Sequence, residues 1–464
     1  MTGVIISLLV TIFVVKTLLK KLKPQFVLLF GGLLLLTAAI FMDLAGLLPG
    51  GVQLLPKGVK STGFVGFDLM KAITSTMSSR TAGIGLLIMS AAGYSKYMSM
   101  IGASTVMADY LCRPLRVFKS PYVVLALAYV VGAFADLFIP SASGLAMLLM
   151  VTIFPILVRL GASRLSAAAV IATVSCLDMG PTSGAANYAA QCAGMDTMTY
   201  FIEYQIPVGI VVTVTVALLH YFTQKYYDAK DGDRAFKAGI EEGSEMKDEL
   251  EIKCPKFYAL LPMIPLLLLI VFNKFVISSI TLDVPTAMFI SFTIALVCEL
   301  FRHPAKEVLN SAMEFFNMMG KQFATVITLI VAGEIFAKGL MATGTVDYLI
   351  TTTQSLGLPA YAIMIVMTAF ISIATVVMGS GNAPFFAFAP LVPDFATQFG
   401  VSTTLLMVPM QLATGIARPM SPIVAVVVAV AGCSNISPFE IVRRTAIPMM
   451  GGLLATIIST IIFN

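Results

Sequence analysis

Charge is scarce in this chain. Only 11% of its 464 residues are Asp, Glu, Lys or Arg, less than half of the roughly 25% usual in a soluble domain. With 58% hydrophobic residues and a mean hydropathy of +0.94, that scarcity excludes an ordinary soluble protein and points to a polytopic membrane protein. The net charge of +5 says little about partners, and no nucleic-acid partner is expected beside the lipid bilayer. Histidine is nearly missing: His220 and His303, both expected at helix ends, are the whole complement. The cysteines, at 112, 176, 192, 254, 298 and 433, form no CxxC pair and no metal-ligand spacing, so they read as small packing residues. A metalloenzyme needs more ligands, grouped together, and a P-loop, GxxxxGK[ST], is missing as well. These absences argue against an enzyme, a cofactor, a structural metal and direct drive by ATP.

Spans of roughly 20 apolar residues are what a membrane helix requires. They are expected at about 3–19, 25–42, 75–101, 165–194, 204–223, 257–272, 284–300, 321–342, 403–432 and 444–463. The first of these has its basic cluster after the apolar run, unlike a signal peptide, and reads as a membrane helix. Two further apolar regions, 121–160 and 359–399, are interrupted by IPSASG (139–144) and GSGNAP (379–384). Each reads as a re-entrant hairpin. Lys and Arg collect in cytoplasmic loops. With the N-terminus outside, twenty-one of the 29 Lys and Arg fall in inner loops and four in outer loops. The other four, Arg80, Lys96, Lys338 and Arg418, lie within apolar segments. This predicts ten spans, two hairpins, both termini outside, and a cytoplasmic linker at 224–256, the one long charged stretch.

The two halves resemble each other. At an offset of 239, Tyr122 maps to Tyr361, Ser141 to Ser380, Gly161 to Gly400 and Ser163 to Ser402. At 238, Pro181 maps to Pro419 and Ser183 to Ser421. At 242, Lys96 maps to Lys338 and Gly102 to Gly344. Five spans per half is an odd number, so the second repeat would insert upside down. The expected organisation is a first inverted repeat at 1–223 (scaffold helices 1–101, hairpin and broken helix 121–194), the linker, and a second at 257–464 (scaffold helices 257–342, hairpin and broken helix 359–432). Inverted repeats with broken helices are a secondary-transporter architecture, with substrate near the midplane at the repeat interface.

Each half also breaks a second helix, at GPTSG (180–184) and ARPMSP (417–422). Irregular backbone at membrane depth survives only where protein covers it or water reaches it. The four breaks therefore nominate substrate-binding residues: Ser141, Ser143 and Gly144; Thr182 and Ser183; Ser380, Gly381 and Asn382; Arg418 and Ser421. Helix N-termini, hydroxyls and amides suit a small anion, and the same oxygens suit Na⁺. A lone Ser or Gly in a membrane helix is ordinarily a packing residue; four such clusters together are harder to dismiss. Arg418 is costly inside a span and suited to a carboxylate, its plain alternative being an internal ion pair. Asp136, Asp178 and Asn382 are candidates for a coupling ion or proton, and either Asp could pair with Arg418. Glu334 and Lys338, at i,i+4, read as a simple helix pair.

The chain resembles the anaerobic C4-dicarboxylate carrier family of the DcuC type, including its DcuD-like members, within the ion-transporter superfamily. The resemblance rests on SRTAGIGLLIMSAAGYSKYMSMIGAS (79–104), SASGLAMLLMVTIFPILVRLG (141–161), SRLSAAAVIAT (163–173), VAGEIFAKGL (331–340), MGSGNAPFFAFA (378–389), SPIVAVVVAVAG (421–432) and SPFEIVRRTAIPM (437–449). It implies an elevator-type secondary transporter that moves succinate, fumarate or malate across the bacterial inner membrane, by uptake, efflux or exchange, coupled to Na⁺ or H⁺. By analogy alone it implies a homodimer. The alternative is the same fold carrying another organic anion or acting as a Na⁺/H⁺-linked antiporter.

Overall fold

Proline, serine and glycine cut the apolar runs into helices. The computed structural model describes residues 2–464 except 21, 49–51, 57, 119, 240–253, 273–275, 278 and 356–358. Among the described residues every regular element is helical. Much of the charged linker expected at 224–256 thus lies outside the described residues.

The chain opens with α1 (Thr2–Leu19) and α2 (Pro24–Leu44). Next, α3 (Val65–Arg80) leads into α4 (Leu86–Met100) through a π turn at Thr81–Gly85 that is kinked at Gly83, whose φ of −87° and ψ of −105° are not helical. Gly102, left-handed at φ 79°, turns the chain into α5 (Ala103–Cys112). After α6 (Pro121–Asp136) the helix unwinds at 137–141, and α7 (Ala142–Thr152) and α8 (Phe154–Arg159) fold back on it. α9 (Arg164–Thr173) and α10 (Gly184–Cys192) flank an irregular stretch at 174–183. α11 (Thr197–Thr199), a π turn and α12 (Ile206–Asp231) form one long helix, followed by α13 (Asp233–Lys237).

Beyond the linker come a 3-10 stretch (Lys256–Met263), α14 (Ile264–Val271) and α15 (Val284–Leu300). α16 (Ala305–Gln322) and α17 (Thr328–Ala342) run on through a second π turn at Phe323–Ile327, and α18 (Thr345–Ser355) follows. α19 (Ala360–Met378) ends at left-handed Gly379, and α20 (Asn382–Phe388) and α21 (Val392–Phe399) complete the second hairpin region. α22 (Thr403–Ile416), an irregular stretch at 417–424, α23 (Ala425–Ser434) and α24 (Pro438–Phe463) finish the chain.

Serine caps set several of these starts. Ser163 Oγ accepts the Ser166 N–H at 3.0 Å, Ser183 that of Ala186 at 3.1 Å, and Ser402 that of Leu405 at 3.3 Å. Each satisfies a donor that the first helical turn leaves without an intrahelical partner.

Several expected boundaries change. The helix expected at 75–101 begins ten residues earlier, and the one at 321–342 is the end of a stretch from Ala305. The added residues, AKEVLNSAMEFFNMMG, are too polar to read as an apolar run, yet they form a strongly amphipathic helix. The helices expected at 165–194 and 403–432 are each two helices, broken as expected, with the first irregular stretch starting earlier than the 180–184 motif, at 174. Among the described residues, five helical stretches suffice by length and apolarity to cross a bilayer: Pro24–Leu44, Thr197–Asp231, Ala305–Ala342, Ala360–Met378 and Pro438–Phe463. Shorter apolar helices make up the expected spans at 3–19, 257–272, 284–300 and 403–432.

α2 lies along α17 with backbones nearly touching: a Cβ on Gly32 would come within 2.6 Å of the Phe336 nitrogen. α4 packs on α15 and α16, and α5 on the 3-10 stretch. A second group forms around α12, which runs beside α6 and α24; α9 packs on α6 and α24, and α22 on α19 and α24. The groups meet where α20 crosses α17. There a Cβ on Gly333 would sit 2.4 Å from the Phe386 carbonyl oxygen, so only glycine permits the contact.

The continuous helix Thr197–Asp231 has 35 residues, about 52 Å at 1.5 Å per residue, well over the ~30 Å of bilayer hydrocarbon. Its far end carries a buried ionic cluster. Arg444 of α24 pairs with Asp228 at 2.5 Å and Asp231 at 2.8 Å, and donates to Ser166 at 2.8 Å. Asp228 also accepts from Ser163 and Ser166. His220, expected at a helix end, is instead buried within α12. It bonds Thr173 at 2.9 Å and Gln224 at 3.2 Å, in the same polar strip.

Candidate functional site

A polar cavity of about 530 Å³ lies where the two hairpin tips and the two helix breaks converge. α7, α10 and α23 all begin at its wall, through Ala142 and Ser143, Gly184 and Ala185, and Ala425. Their free N–H groups give the cavity a partial positive potential. Asn382, the first residue of α20, lines it as well.

Arg418 enters from the second break and forms an ion pair with Asp178 from the first. Its Nη2 also lies 3.4 Å from the Asn382 Oδ1, so one guanidinium joins both breaks to the second hairpin tip. The pair is mostly but not wholly covered, at 14% exposure for Arg418 and 18% for Asp178.

Asp178 is held in an unusual backbone. Its φ of 49° is left-handed, a region few non-glycine residues occupy. A chain of amides braces it. Gly180 N–H donates to Gln205 Oε1 (3.0 Å), Gln205 Nε2 to Gln411 Oε1 (2.8 Å), and Gln411 Nε2 to the Asp178 carbonyl (3.0 Å). Gly415 lets the two breaks touch, since a Cβ there would lie 2.3 Å from the Cys176 carbonyl oxygen. Thr182 ties the first break to the first hairpin by donating to the Leu137 carbonyl at 2.9 Å.

Of the residues nominated from sequence, Asp136, Ser143, Asp178, Thr182, Asn382 and Arg418 line the cavity. The others do not line it. Ser141 caps α7, accepting the Gly144 N–H at 3.3 Å, and a Cβ on Gly144 would press on that hydroxyl. Ser183 caps α10. Gly381 packs the second tip onto α22, where a Cβ would meet the Thr414 carbonyl oxygen at 2.3 Å, and Ser380 lies in the same tip. Ser421 is fully buried, with a hydroxyl that has no hydrogen-bond partner among the described residues.

Asp136 ends α6 and is 8% exposed. Among the described residues no Lys or Arg nitrogen lies within ion-pair distance of its carboxylate. Ser175, Gln322 and Thr325 line the cavity without having been nominated. Ser175 lies within the first irregular stretch; Gln322 and Thr325 flank and occupy the second π turn, which no local sequence signal marked. The expected pair of Glu334 with Lys338 does not form. Glu334 pairs with Arg80 at 2.5 Å, and Lys338 donates to Thr76 at 3.0 Å. Tertiary proximity wins over the i,i+4 spacing.

The signature of the family described as C4-dicarboxylate anaerobic carrier, DcuC, matches residues 2–464. The chain belongs to the DcuC family. A DcuC described as a probable anaerobic C4-dicarboxylate transporter, from Vibrio cholerae, is 36% identical over 464 residues, covering 100% of this chain and 98% of the relative. The anaerobic C4-dicarboxylate transporter DcuC of Escherichia coli K12 is 34% identical, covering 98% and 95%. Among solved structures, the YdaH transporter of Alcanivorax borkumensis superposes with a TM-score of 0.68 at 14% identity, over 95% of this chain and 98% of that one. MtrF of Neisseria gonorrhoeae, from a class of antimetabolite efflux pumps, gives 0.58 at 13%, over 94% and 95%. At these identities the two structures speak to fold alone. As a member of a DcuC carrier family, this multi-pass membrane protein is a transporter and not an enzyme.

Proposed function

We propose that the protein is a secondary active transporter of C4-dicarboxylates such as succinate, fumarate and malate across the bacterial inner membrane, working by alternating access of an elevator type. The single observation that carries the reading is the cavity itself. It brings one arginine from the second break, three helix N-termini, and hydroxyls and amides from both hairpin tips, the first break and the second π turn around a space of small-molecule size. A carboxylate entering it competes with Asp178 for Arg418. Thr182, Ser143 and Asn382 are within the same wall to receive the second carboxylate.

The charge balance calls for a coupling cation. Arg418 offsets one of the two acidic groups, Asp136 and Asp178. A doubly charged anion entering beside both ionised carboxylates would leave a large negative excess in a mostly covered site, where charge is poorly screened. A proton on Asp136, or Na⁺ held among Asp136, Asp178 and Asn382, removes that excess.

The inverted-repeat reading is supported by matched features. The π turns Thr81–Gly85 and Phe323–Ile327 are displaced by 242 residues, as are the left-handed Gly102 and Gly344. The capping serines Ser163 and Ser402 are displaced by 239. The Lys and Arg asymmetry supports both termini on the periplasmic side.

The test is exchange of labelled succinate in proteoliposomes, with and without Na⁺ and pH gradients. Arg418→Ala and Asn382→Ala, shown to fold by thermal unfolding, should lose exchange; parent-like rates would remove this site assignment. The unpaired Asp136 also favours a second reading, a Na⁺/H⁺-linked antiporter or carrier of another anion. A thermal-shift panel of dicarboxylates, amino acids and cations separates the two, since stabilisation only by a non-dicarboxylate would defeat the first.

A further inference from the structure

A second ionic cluster crosses the interior outside the cavity. Arg80, at the end of α3, pairs with Glu334 of α17, and Tyr188 of α10 donates to the same carboxylate oxygen at 2.9 Å. Glu334 is 5% exposed and Tyr188 is fully covered. Neither Arg80 nor Glu334 lines the cavity, but Phe386, which does, packs edge-on against Tyr188 with ring centroids 5.3 Å apart.

We infer that Arg80 and Glu334 form the wall that the substrate anion meets when the transporter faces the opposite side of the membrane. The inference rests on the inverted-repeat reading proposed above. In such a transporter one body moves against the other around the bound substrate, and the two orientations are related by exchanging the roles of the repeats. The hairpin tips and breaks map onto one another, Ser143 to Asn382 and Ser183 to Ser421, so they remain at the substrate in both orientations.

The scaffold wall does not remain the same. Here it consists of Ile88 and Ala92 from α4, with Gln322, Thr325 and Val326 around the second π turn. Displaced by the 242 residues that separate the two π turns, these become Ile330, Glu334, Arg80, Gly83 and Ile84. A neutral wall is exchanged for one carrying an arginine. Glu334 supplies its counter-ion while the wall is covered. Glu334 holds Arg80 through Nε, so once α10 leaves with Tyr188 and uncovers the wall, the Nη edge of the guanidinium faces the substrate carboxylate.

Two measurements test this. The first does not depend on which anion is carried. In membrane vesicles of either orientation, a water-soluble maleimide should label Ile88→Cys, which lines the cavity here, from one side and Ile330→Cys, fully buried and outside it here, from the other, above the labelling of the parent's own cysteines. Any other pattern overturns the proposal. The second uses labelled succinate in proteoliposomes. If the pair were merely structural, Arg80→Gln/Glu334→Gln would leave no unpaired charge and exchange like the parent, which would also overturn it. The expected result is exchange slowed at least about tenfold, the size of one charge-assisted contact, with stabilisation by succinate retained. A parent that neither binds nor exchanges succinate counts against the dicarboxylate reading instead and leaves the labelling result to decide.

Discussion

Replacing Asp178 by Asn should tighten the binding of succinate, whereas replacing Arg418 by Ala should weaken it. In the structure Asp178 occupies the guanidinium that a substrate carboxylate would need. Asn keeps the shape and an acceptor oxygen but surrenders the charge. Two unit charges about 4 Å apart attract by about 1 kcal/mol in bulk water and about 4 kcal/mol at an effective dielectric of 20. At 14% and 18% exposure the pair lies between these limits, so about 1–3 kcal/mol of competition is removed. At 1.4 kcal/mol per decade, the dissociation constant should fall roughly 5- to 100-fold. Arg418→Ala loses a charged hydrogen bond worth about 1.5–3 kcal/mol, a weakening of about 10- to 100-fold. Isothermal titration of succinate into purified protein measures both, with thermal unfolding as the control for folding. If Asp178→Asn weakens binding as much as Arg418→Ala does, Asp178 is not a competitor but a support for the bound anion, and the reasoning fails.

Three further outcomes follow from the same geometry. Arg444→Met leaves Asp228 buried and without its cation, which should cost about 3–5 kcal/mol and lower the unfolding midpoint; a midpoint equal to the parent's would mean that the cluster is not structural. Gly381→Ala drives a methyl group into the Thr414 carbonyl 2.3 Å away, an overpacking of about 1–3 kcal/mol that should displace the second tip and abolish succinate binding, and binding at the parent's affinity would contradict this. Asp136→Asn should retain succinate binding but lose the acceleration of uptake by an imposed pH gradient, read in proteoliposomes; an undiminished response would take the proton from Asp136.

The hairpin tips and breaks were legible because Gly, Pro, Ser and Asn interrupt apolar runs where nothing else explains them. Asn382, Arg418, Thr182 and both aspartates were found by that signal and line the cavity. Ser141 and Ser183 show its ambiguity: a serine at a break can contact a ligand or cap the helix that restarts there, and here both serve as caps. Gln322 and Thr325 carry no such mark. They belong to long unbroken helices, and only tertiary packing turns them toward the cavity. Glu334 failed for a related reason. Its helix spacing offered Lys338, while the fold offered Arg80 from a distant segment, and no local pattern records that choice. His220 lay inside an apolar run taken to stop near it, because the continuation to Asp231 is polar.

The buried cluster at the end of α12 bears on how the protein is made. Asp228 and Asp231 leave the ribosome more than 200 residues before Arg444. During that interval α12 carries two acidic groups whose partner has not been synthesised, and no packed α24 covers them. A nascent chain stalled or cut before residue 444 would retain that defect permanently. α24 thus neutralises what α12 exposes, and copies cut before residue 444 should be the ones that membrane proteases clear.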